Sequence, residues 1–255
     1  MEFVELLRVR RALIWHAGIL AVIAIGIMAL AHSTTVNIDG PSGQTKLIPG
    51  SFIGWGDIAG ICAFFVTIFA SSLGTSLSRE NSIRDISWTK PIARTLIAIR
   101  YILVDLGGLC IAFVTAFALI ALVLVRMNFM PHADASVFIQ TVLAIGIGAM
   151  WYGLLQMITC GMPPGGRAMA GIMWPVALFL IPMAQIPGAI GALVRAVNII
   201  NPLEYLGVAS IGSSDPAKSF NPVGPLSLDE RALVVWLFAA LFCAIAVAVW
   251  PRQEA

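Results

Sequence analysis

Charged side chains are scarce in this sequence. Of its 255 residues, 11% are charged and 59% are hydrophobic, whereas a soluble domain carries about 25% charged residues. This scarcity excludes an ordinary soluble protein and indicates an integral membrane protein. The formal net charge of +2 is too small to suggest a nucleic-acid partner.

The motifs that carry catalytic or metal chemistry are also missing. The sequence has no His-Glu-x-x-His, no Gly-x-Ser-x-Gly and no Cys-x-x-Cys. Residues 161–168 imitate the frame of a phosphate-binding loop but lack its Lys and Ser/Thr, so a turn between spans is the better interpretation. We therefore expect no catalytic site, no metal site and no cofactor in this chain.

Cysteine is present but lies only inside apolar runs. This placement favours small buried hydrophobes over disulfides or zinc ligands. Methionines cluster with one cysteine around residues 150–173, which leaves a soft-metal path conceivable, although ordinary packing is the favoured interpretation. The four cysteines are Cys62, Cys110, Cys160 and Cys243.

Long apolar runs are what the sequence has in abundance. A helix needs about 20 apolar residues to cross a bilayer, and six runs meet or approach this length. The sequence therefore predicts an all-α integral membrane protein that is one transmembrane domain over residues 1–255. The six predicted transmembrane helices are residues 12–31, 52–77, 96–125, 137–159, 168–186 and 231–250, with Pro175 and Pro182 bending or breaking the fifth.

Two shorter segments complete the predicted fold. Residues 1–11 put apolar and charged side chains on separate helical faces, which predicts an amphipathic helix on the membrane surface. The apolar run that follows is longer than the 7–15 residues of a signal peptide, so we expect it to be retained. Residues 188–211 are half apolar and irregular, which predicts a re-entrant outer segment packed against protein.

The distribution of basic residues predicts the orientation. Six spans put both termini on one side, and that side holds the larger share of the 15 Lys and Arg residues. The positive-inside rule then puts both termini in the cytoplasm. We expect a multi-pass protein of the inner (plasma) membrane.

The longest strongly polar interruption covers residues 78–95, between the second and third spans. It is rich in Arg and Lys, so we expect it on the cytoplasmic side. Ile83 and Ile86 lie one helical turn apart, and exposed apolar residues rimmed by charge suit a groove in another protein. The segment is therefore a predicted cytoplasmic coupling helix. Its candidate contact residues are Arg79, Glu80, Ile83, Arg84, Asp85, Ile86 and Trp88.

Asp105 is the carboxylate predicted to lie well inside a span. A charge at that depth costs about 2.5–3.5 kcal/mol on insertion scales, so it must face protein or a watery cavity. We favour a structural carboxylate, hydrogen-bonded to a neighbouring helix or paired with an arginine, because a proton relay usually shows several such groups. The alternative is a proton- or cation-coupled site, which would make the protein a secondary transporter or channel.

The order of these features resembles the permease subunit of type-2 ABC transporters, the exporter class. In that family the second span ends in a Glu-bearing cytoplasmic helix, and a Lys/Arg-Pro-hydrophobic-x-Arg run leads into the third span. The family also has prolines in the fifth span and an Asn-Pro-Leu-x-Tyr type sequence after it. The resemblance covers nearly the whole chain. The matching residues are Arg79, Glu80, Lys90, Pro91, Arg94, Pro175, Pro182, Asn201, Pro202 and Tyr205.

The resemblance implies an ATP-driven exporter assembled from several subunits. Two permease copies, identical or paired with a sister permease, would dock on two separate ATP-binding-cassette ATPase subunits. ATP and Mg²⁺ would bind in those ATPases, so this chain would be no enzyme itself. Each ATPase would hold a coupling segment in a groove and turn groove motion into rigid-body motion of the spans. The substrate class stays open, and an intramembrane enzyme or an assembly scaffold remains a lesser alternative.

Overall fold

The computed structural model is helical over the part of the chain that it describes. That part comprises residues 2–33, 54–78, 94–127, 131, 135–160, 166–184, 186–206 and 226–250. Seven α-helices and a short 3-10 helix are its regular elements, and no strand occurs among these residues. The helices are α1 (Glu2–Ser33), α2 (Trp55–Leu73), α3 (Arg94–Arg126), α4 (Val137–Cys160), α5 (Gly166–Met183), α6 (Ala189–Asn198), the 3-10 helix (Pro202–Leu206) and α7 (Leu228–Val249).

Five of these helices are long and apolar enough to cross a membrane. The candidate spans are Glu5–Ala29, Trp55–Leu73, Thr95–Arg126, Val137–Cys160 and Leu228–Val249. The predicted fold class of a helical membrane protein is confirmed at this level. The remaining predicted span, residues 168–186, corresponds to the shorter apolar helix Ala168–Met183. Helix α5 runs through Pro175 and Pro182 without a break, although neither proline can donate a backbone hydrogen bond. Since its apolar part is shorter than the five candidate spans, a sixth crossing stays a prediction.

The amino terminus differs from the prediction. No break separates residues 1–11 from the first span, since α1 is one continuous helix of 32 residues. Its polar side faces the protein, with Glu5 buried, whereas Leu6 is 53% exposed. The expected separate surface helix is therefore corrected to the first turns of α1. The physical reason is that Arg8 forms an ion pair with Asp105 of α3, and Glu5 pairs with Arg8 on the same side of α1.

Helices α2, α4 and α7 run in the same direction and pack side by side. Glycines at their contacts allow a close approach, because they have no Cβ to hold the helices apart. Along α2 and α4 the facing pairs are, in order, Gly60 with Gln140, Val66 with Gly148 and Gly74 with Leu155. Along α4 and α7 they are Val142 with Trp236 and Gly153 with Phe242.

Helices α1 and α3 run parallel to each other and opposite to this group. Arg8 also reaches the carbonyl oxygen of Leu73, so the starts of α1 and α3 lie beside the end of α2. We call this end of the bundle the network end, after the polar network described below. The opposite end, where α2, α4 and α7 start, is called the cavity end, after the cavity that lies there. The pairs that align α1 with α3 are Arg8 with Asp105, Val9 with Gly108 and Ile25 with Leu122.

The chain returns from the network end to the cavity end through α5. Helix α4 finishes at the network end, and α7 begins at the other. After α5, Gly188 adopts a φ of 92°, which glycine tolerates, and the chain turns into α6. Asn201 Nδ2 donates to the carbonyl oxygen of Ala177 at 2.9 Å, so this stretch folds back along α5. Tyr205 then lines a cavity together with Gln140, near the start of α4.

Replacing Gly108 by alanine should destabilise the protein, and replacing Gly107 should not. A Cβ on Gly108 would lie 2.7 Å from Cγ1 of Val9, whereas a Cβ on Gly107 meets nothing within 4 Å. We expect Gly108→Ala to lower the free energy of unfolding by roughly 1–3 kcal/mol. Gly107→Ala should be neutral or better, because glycine in a helix is unfavourable by about 1 kcal/mol. Thermal unfolding in one detergent compares them, and equal stability would contradict the packing of α1 on α3.

Candidate functional site

Asp105 lies at the centre of a buried polar network. Its side chain is fully buried, in the first half of α3. Oδ1 accepts a hydrogen bond from Arg8 Nη2 at 2.7 Å, and Oδ2 accepts one from the Tyr152 hydroxyl at 2.7 Å. The Tyr152 oxygen lies 3.5 Å from Ser76 Oγ. One carboxylate thus connects α1, α3 and α4, and through Tyr152 it reaches the segment after α2.

Helix α1 supplies the cation of this network and a second carboxylate. Arg8 is paired with Glu5, which lies one turn earlier on the same face and is buried. Arg8 Nη1 also donates to the carbonyl oxygen of Leu73 at 3.4 Å. One guanidinium therefore faces two carboxylates and a helix-terminal carbonyl. Charges removed from water in this way are stabilised only by their partners, so the three ionic groups hold α1 against α2 and α3.

The end of α2 is held by polar side chains of α4. Gln156 accepts from the backbone N–H of Leu77 at 3.2 Å and donates to the carbonyl oxygen of Leu73 at 3.3 Å. Thr159 Oγ1 donates to the carbonyl oxygen of Gly74 at 3.2 Å. The last carbonyls of a helix have no partner within it, and here α4 provides two of those partners. Residues 73–78 are consequently fixed to α4.

Ser71 joins α2 to both α4 and α5. Its Oγ accepts from the indole N–H groups of Trp151 and Trp174, each at 2.7 Å, and donates to the carbonyl oxygen of Thr67 at 3.1 Å. The one donor and two acceptor positions of the hydroxyl are all used. The two indole rings lie 5.2 Å apart between centroids. Ser71 and this ring pair therefore fix α5 against α2 and α4.

The cavity end carries a buried carboxyl group of a different kind. Among the described residues, neither oxygen of Glu204 has a hydrogen-bond partner, although both oxygens are buried. Burial raises the pKa of Glu204 from 4.5 to about 7. The hydroxyl of the adjacent Tyr205 donates to the carbonyl oxygen of Ile199 at 2.9 Å, and burial raises the pKa of Tyr205 to about 12.

The structure brings some of the predicted site residues together. Asp105 is in the network, and Arg94 is the first residue of α3. Asn201, Pro202 and Tyr205 lie together at the cavity end, where Asn201 also caps Leu203 N at 3.1 Å. The remaining predicted residues lie outside the described ones: Arg79, Glu80, Ile83, Arg84, Asp85, Ile86, Trp88, Lys90 and Pro91.

Sequence reasoning missed most partners of Asp105. Glu5 and Arg8 were predicted to lie on the polar face of a surface helix, and no prediction involved Tyr152 or Gln156. Two signals could have found them. Glu5 and Arg8 belong to a run with no helix breaker before the first span, and Tyr152 and Gln156 lie four residues apart, on one helical face of a span. Within the described ranges, no group of three or more His, Cys, Asp or Glu could hold a metal ion.

Comparison with known proteins gives no family for this chain. No protein-family model, no curated protein and no solved structure matches it. The resemblance to exporter permeases therefore stays a prediction from sequence motifs.

Replacing Arg8 by methionine should destabilise the protein by roughly 3–5 kcal/mol, because Asp105 and Glu5 would stay buried without their cation. Adding Asp105→Asn to Arg8→Met should recover part of this loss, since it removes one uncompensated charge. Thermal unfolding of the single and double variants measures the coupling. Arg126→Met, at an exposed position on the other end of α3, is the control and should change little. Additive losses in the double variant would contradict the ion pair.

Replacing Glu204 by glutamine should remove a pH-dependent loss of stability. Below pH 4.5 the carboxyl is neutral in both the folded and the unfolded chain. Because burial raises the folded-state pKa to about 7, the stability that the neutral group gives is lost as the pH rises through that value. We expect the melting temperature of Glu204→Gln to exceed that of the wild type by a few degrees at pH 8 and to equal it at pH 4.5. A difference that is the same at both pH values would show that ionisation of Glu204 is not its cause.

Proposed function

We propose that this chain is the membrane-spanning permease subunit of an ATP-binding-cassette exporter. The motifs that resemble those of type-2 ABC permeases motivate the proposal. One structural observation supports it most. The residues from Leu73 to Leu77, immediately before the predicted coupling segment, are buried except for the half-buried Thr75, and hydrogen bonds fix them to α4. A force applied to that segment would therefore act on the whole network end and not on α2 alone.

Both ends of the predicted coupling segment lead into helices of the network. On one side, α2 is held through Gln156 of α4. On the other side, α3 begins at Arg94 and carries Asp105 about three turns later. Arg8 joins these two helices, because it bonds Asp105 and the carbonyl oxygen of Leu73. In the proposed mechanism, an ATPase that moves the coupling segment displaces α1 to α4 as one body, and the substrate pathway changes the side to which it opens.

The proposal includes the assembly and its placement in the membrane. Two ATPase subunits would bind ATP and Mg²⁺, and a second permease copy or a sister permease would complete the pathway. The network end would face the cytoplasm at the inner (plasma) membrane, in line with the basic residues near it. Helix α5, with α6 and the 3-10 helix, would make the sixth crossing and the re-entrant outer segment. The start of α1 and the end of α7 lie at the same end of the bundle, which supports two cytoplasmic termini.

The surroundings of Asp105 do not favour a secondary transporter or channel. Both carboxylate oxygens are engaged, one by Arg8 and one by Tyr152. The cavities that the described residues form next to α2, α3 and α7 are lined by other side chains. An ion or proton carrier needs a carboxylate that a transported species can reach. The network thus supports a structural role for Asp105.

Introducing a charge at Ile83 should separate the permease from its ATPase. We expect Ile83→Asp combined with Arg84→Glu to abolish co-purification of an ATP-binding-cassette ATPase and ATP-driven export. The reason is that an unpaired charge in an apolar groove costs several kcal/mol. Ile83→Val, which keeps the apolar contact, is the matched control and should retain both. The amount of each variant in the membrane, measured in parallel, separates lost docking from lost insertion.

If the double variant inserts normally and still binds the ATPase and exports, the segment is not the coupling site. Failure of the wild-type chain to co-purify with any ATPase would remove the basis of the exporter assignment.

A further inference from the structure

A cavity of about 570 Å³ lies at the cavity end, between α2, α4, α7 and the 3-10 helix. Sites for small molecules commonly enclose about 300–1,000 Å³. The polar network does not reach this cavity, and the proposed coupling mechanism makes no use of it. The residues that line it come from helices of this one chain, and the cavity is partly open, since Phe64 is 43% exposed.

The wall of the cavity changes from polar to apolar along its depth. Asp57 of α2, Gln140 of α4 and Arg231 of α7 lie near the starts of their helices, at the outer rim. Phe64 and Ile147 lie about two turns farther along α2 and α4, which is a depth of roughly 10 Å. Because α2, α4 and α7 run in the same direction, the three polar groups are at one level. The cavity therefore has a polar mouth and an apolar interior.

The mouth carries one positive and one negative side chain that are not paired with each other. Asp57 Oδ2 accepts from the backbone N–H of Gly54 at 2.9 Å, and Arg231 Nε donates to the carbonyl oxygen of Leu226 at 3.1 Å. These local bonds hold both side chains at the rim, and among the described residues no hydrogen bond engages the outer nitrogens of the guanidinium. A polar group carrying charges of both signs matches such a mouth, whereas a purely anionic group would face the repulsion of Asp57.

We propose that this cavity binds an amphiphile that inserts one alkyl chain and carries a zwitterionic polar end. The alkyl chain occupies the interior beside Phe64 and Ile147, where it packs against apolar side chains. The anionic group of the polar end pairs with Arg231, its cationic group lies near Asp57, and the amide of Gln140 hydrogen-bonds the linkage between chain and polar end. Two sources share this chemistry: a phospholipid of the surrounding membrane, and a molecule that the proposed exporter carries.

Gly60 gives the means to close the cavity without changing its charges. A Cβ on this residue would lie 3.7 Å from Oε1 of Gln140, which is ordinary contact, so the backbone tolerates a side chain there. Leucine at this position would extend into the space that the alkyl chain needs. Gly107 is the matched control, because a side chain there meets nothing within 4 Å and points away from the cavity.

Photolabelling of the chain in phosphatidylglycerol nanodiscs tests the site. The probe is lysophosphatidylcholine with a diazirine near the end of its chain, and lysophosphatidylglycerol with the same chain is the anionic comparison. We expect saturable labelling of residues 60–65 and 143–147, reduced on the order of tenfold in Gly60→Leu and unchanged in Gly107→Leu. Equal labelling of a folded Gly60→Leu variant, or labelling spread over the exposed faces of α1 and α3, would overturn the proposal.

Two charge variants test the polar end and serve also if Gly60→Leu fails to fold. Arg231→Gln should weaken labelling by lysophosphatidylcholine several-fold. Asp57→Asn, which can still accept the bond from Gly54, should increase labelling by lysophosphatidylglycerol relative to the zwitterionic probe. If neither variant changes the preference between the two probes, the assignment of a zwitterionic polar end is wrong.

Native mass spectrometry distinguishes the two sources. If the occupant is a membrane lipid, the wild type and Gly107→Leu released directly from membranes carry a phospholipid adduct that Gly60→Leu lacks. If it is a carried molecule, no such adduct is present, the probe labels the cavity, and a partner ATPase with ATP releases the probe. The labelling uses this chain alone, so its failure would leave the exporter proposal untouched, and loss of the ATPase partner would leave the binding site untouched. An adduct of equal amount in Gly60→Leu, together with unsaturable labelling, would exclude both sources.

Discussion

The ion pair between Arg8 and Asp105 is the interaction on which the arrangement of the first four helices depends. Both groups lie in a largely apolar bundle, where neither charge is tolerable alone. Arg8 therefore holds α1 against α3. Its second hydrogen bond, to the carbonyl oxygen of Leu73, also holds α1 against the end of α2. Tyr152 brings α4 to the same carboxylate. The apolar contacts between these helices are numerous but have no direction, whereas this pair defines which turn of α1 faces which turn of α3.

Much of the architecture follows from the length and composition of the apolar runs. Five predicted spans correspond to helices at nearly the predicted positions, because continuous hydrophobicity over about 20 residues leaves a chain in lipid few alternatives. The predicted boundary at residue 11, between a surface helix and the first span, is absent from α1 for a physical reason. Charges near the start of a span indicate a surface helix only if they have no partner, and the partner of Arg8 is distant in sequence. Asp105 was recognised from its cost in lipid, but the identity of Tyr152 and Ser71 as bonding partners depends on tertiary contacts that periodicity does not encode.

The two ends of the bundle differ in kind, and the difference suits different tasks. At the network end, side chains of α1, α3 and α4 bond one another and the end of α2. At the cavity end, as far as the structure describes the chain, Asp57 and Arg231 bond their own local backbone, Glu204 has no hydrogen-bond partner, and space remains between the helices. The hydrogen-bonded network beside the predicted coupling segment would suit the transmission of a movement. The open space at the other end would suit a change in the shape of the substrate pathway.

The separation of Arg8 and Asp105 along the chain has a consequence for biogenesis. The two residues are 97 positions apart, so α1 leaves the ribosome well before its ionic partner has been made. Until then, Arg8 lacks its partner on α3 and has only the pairing with Glu5 on its own helix. The final depth and rotation of α1 can be reached only after α3 has been inserted. We therefore expect the packing of α1 in the membrane to be completed only after α3 has been synthesised.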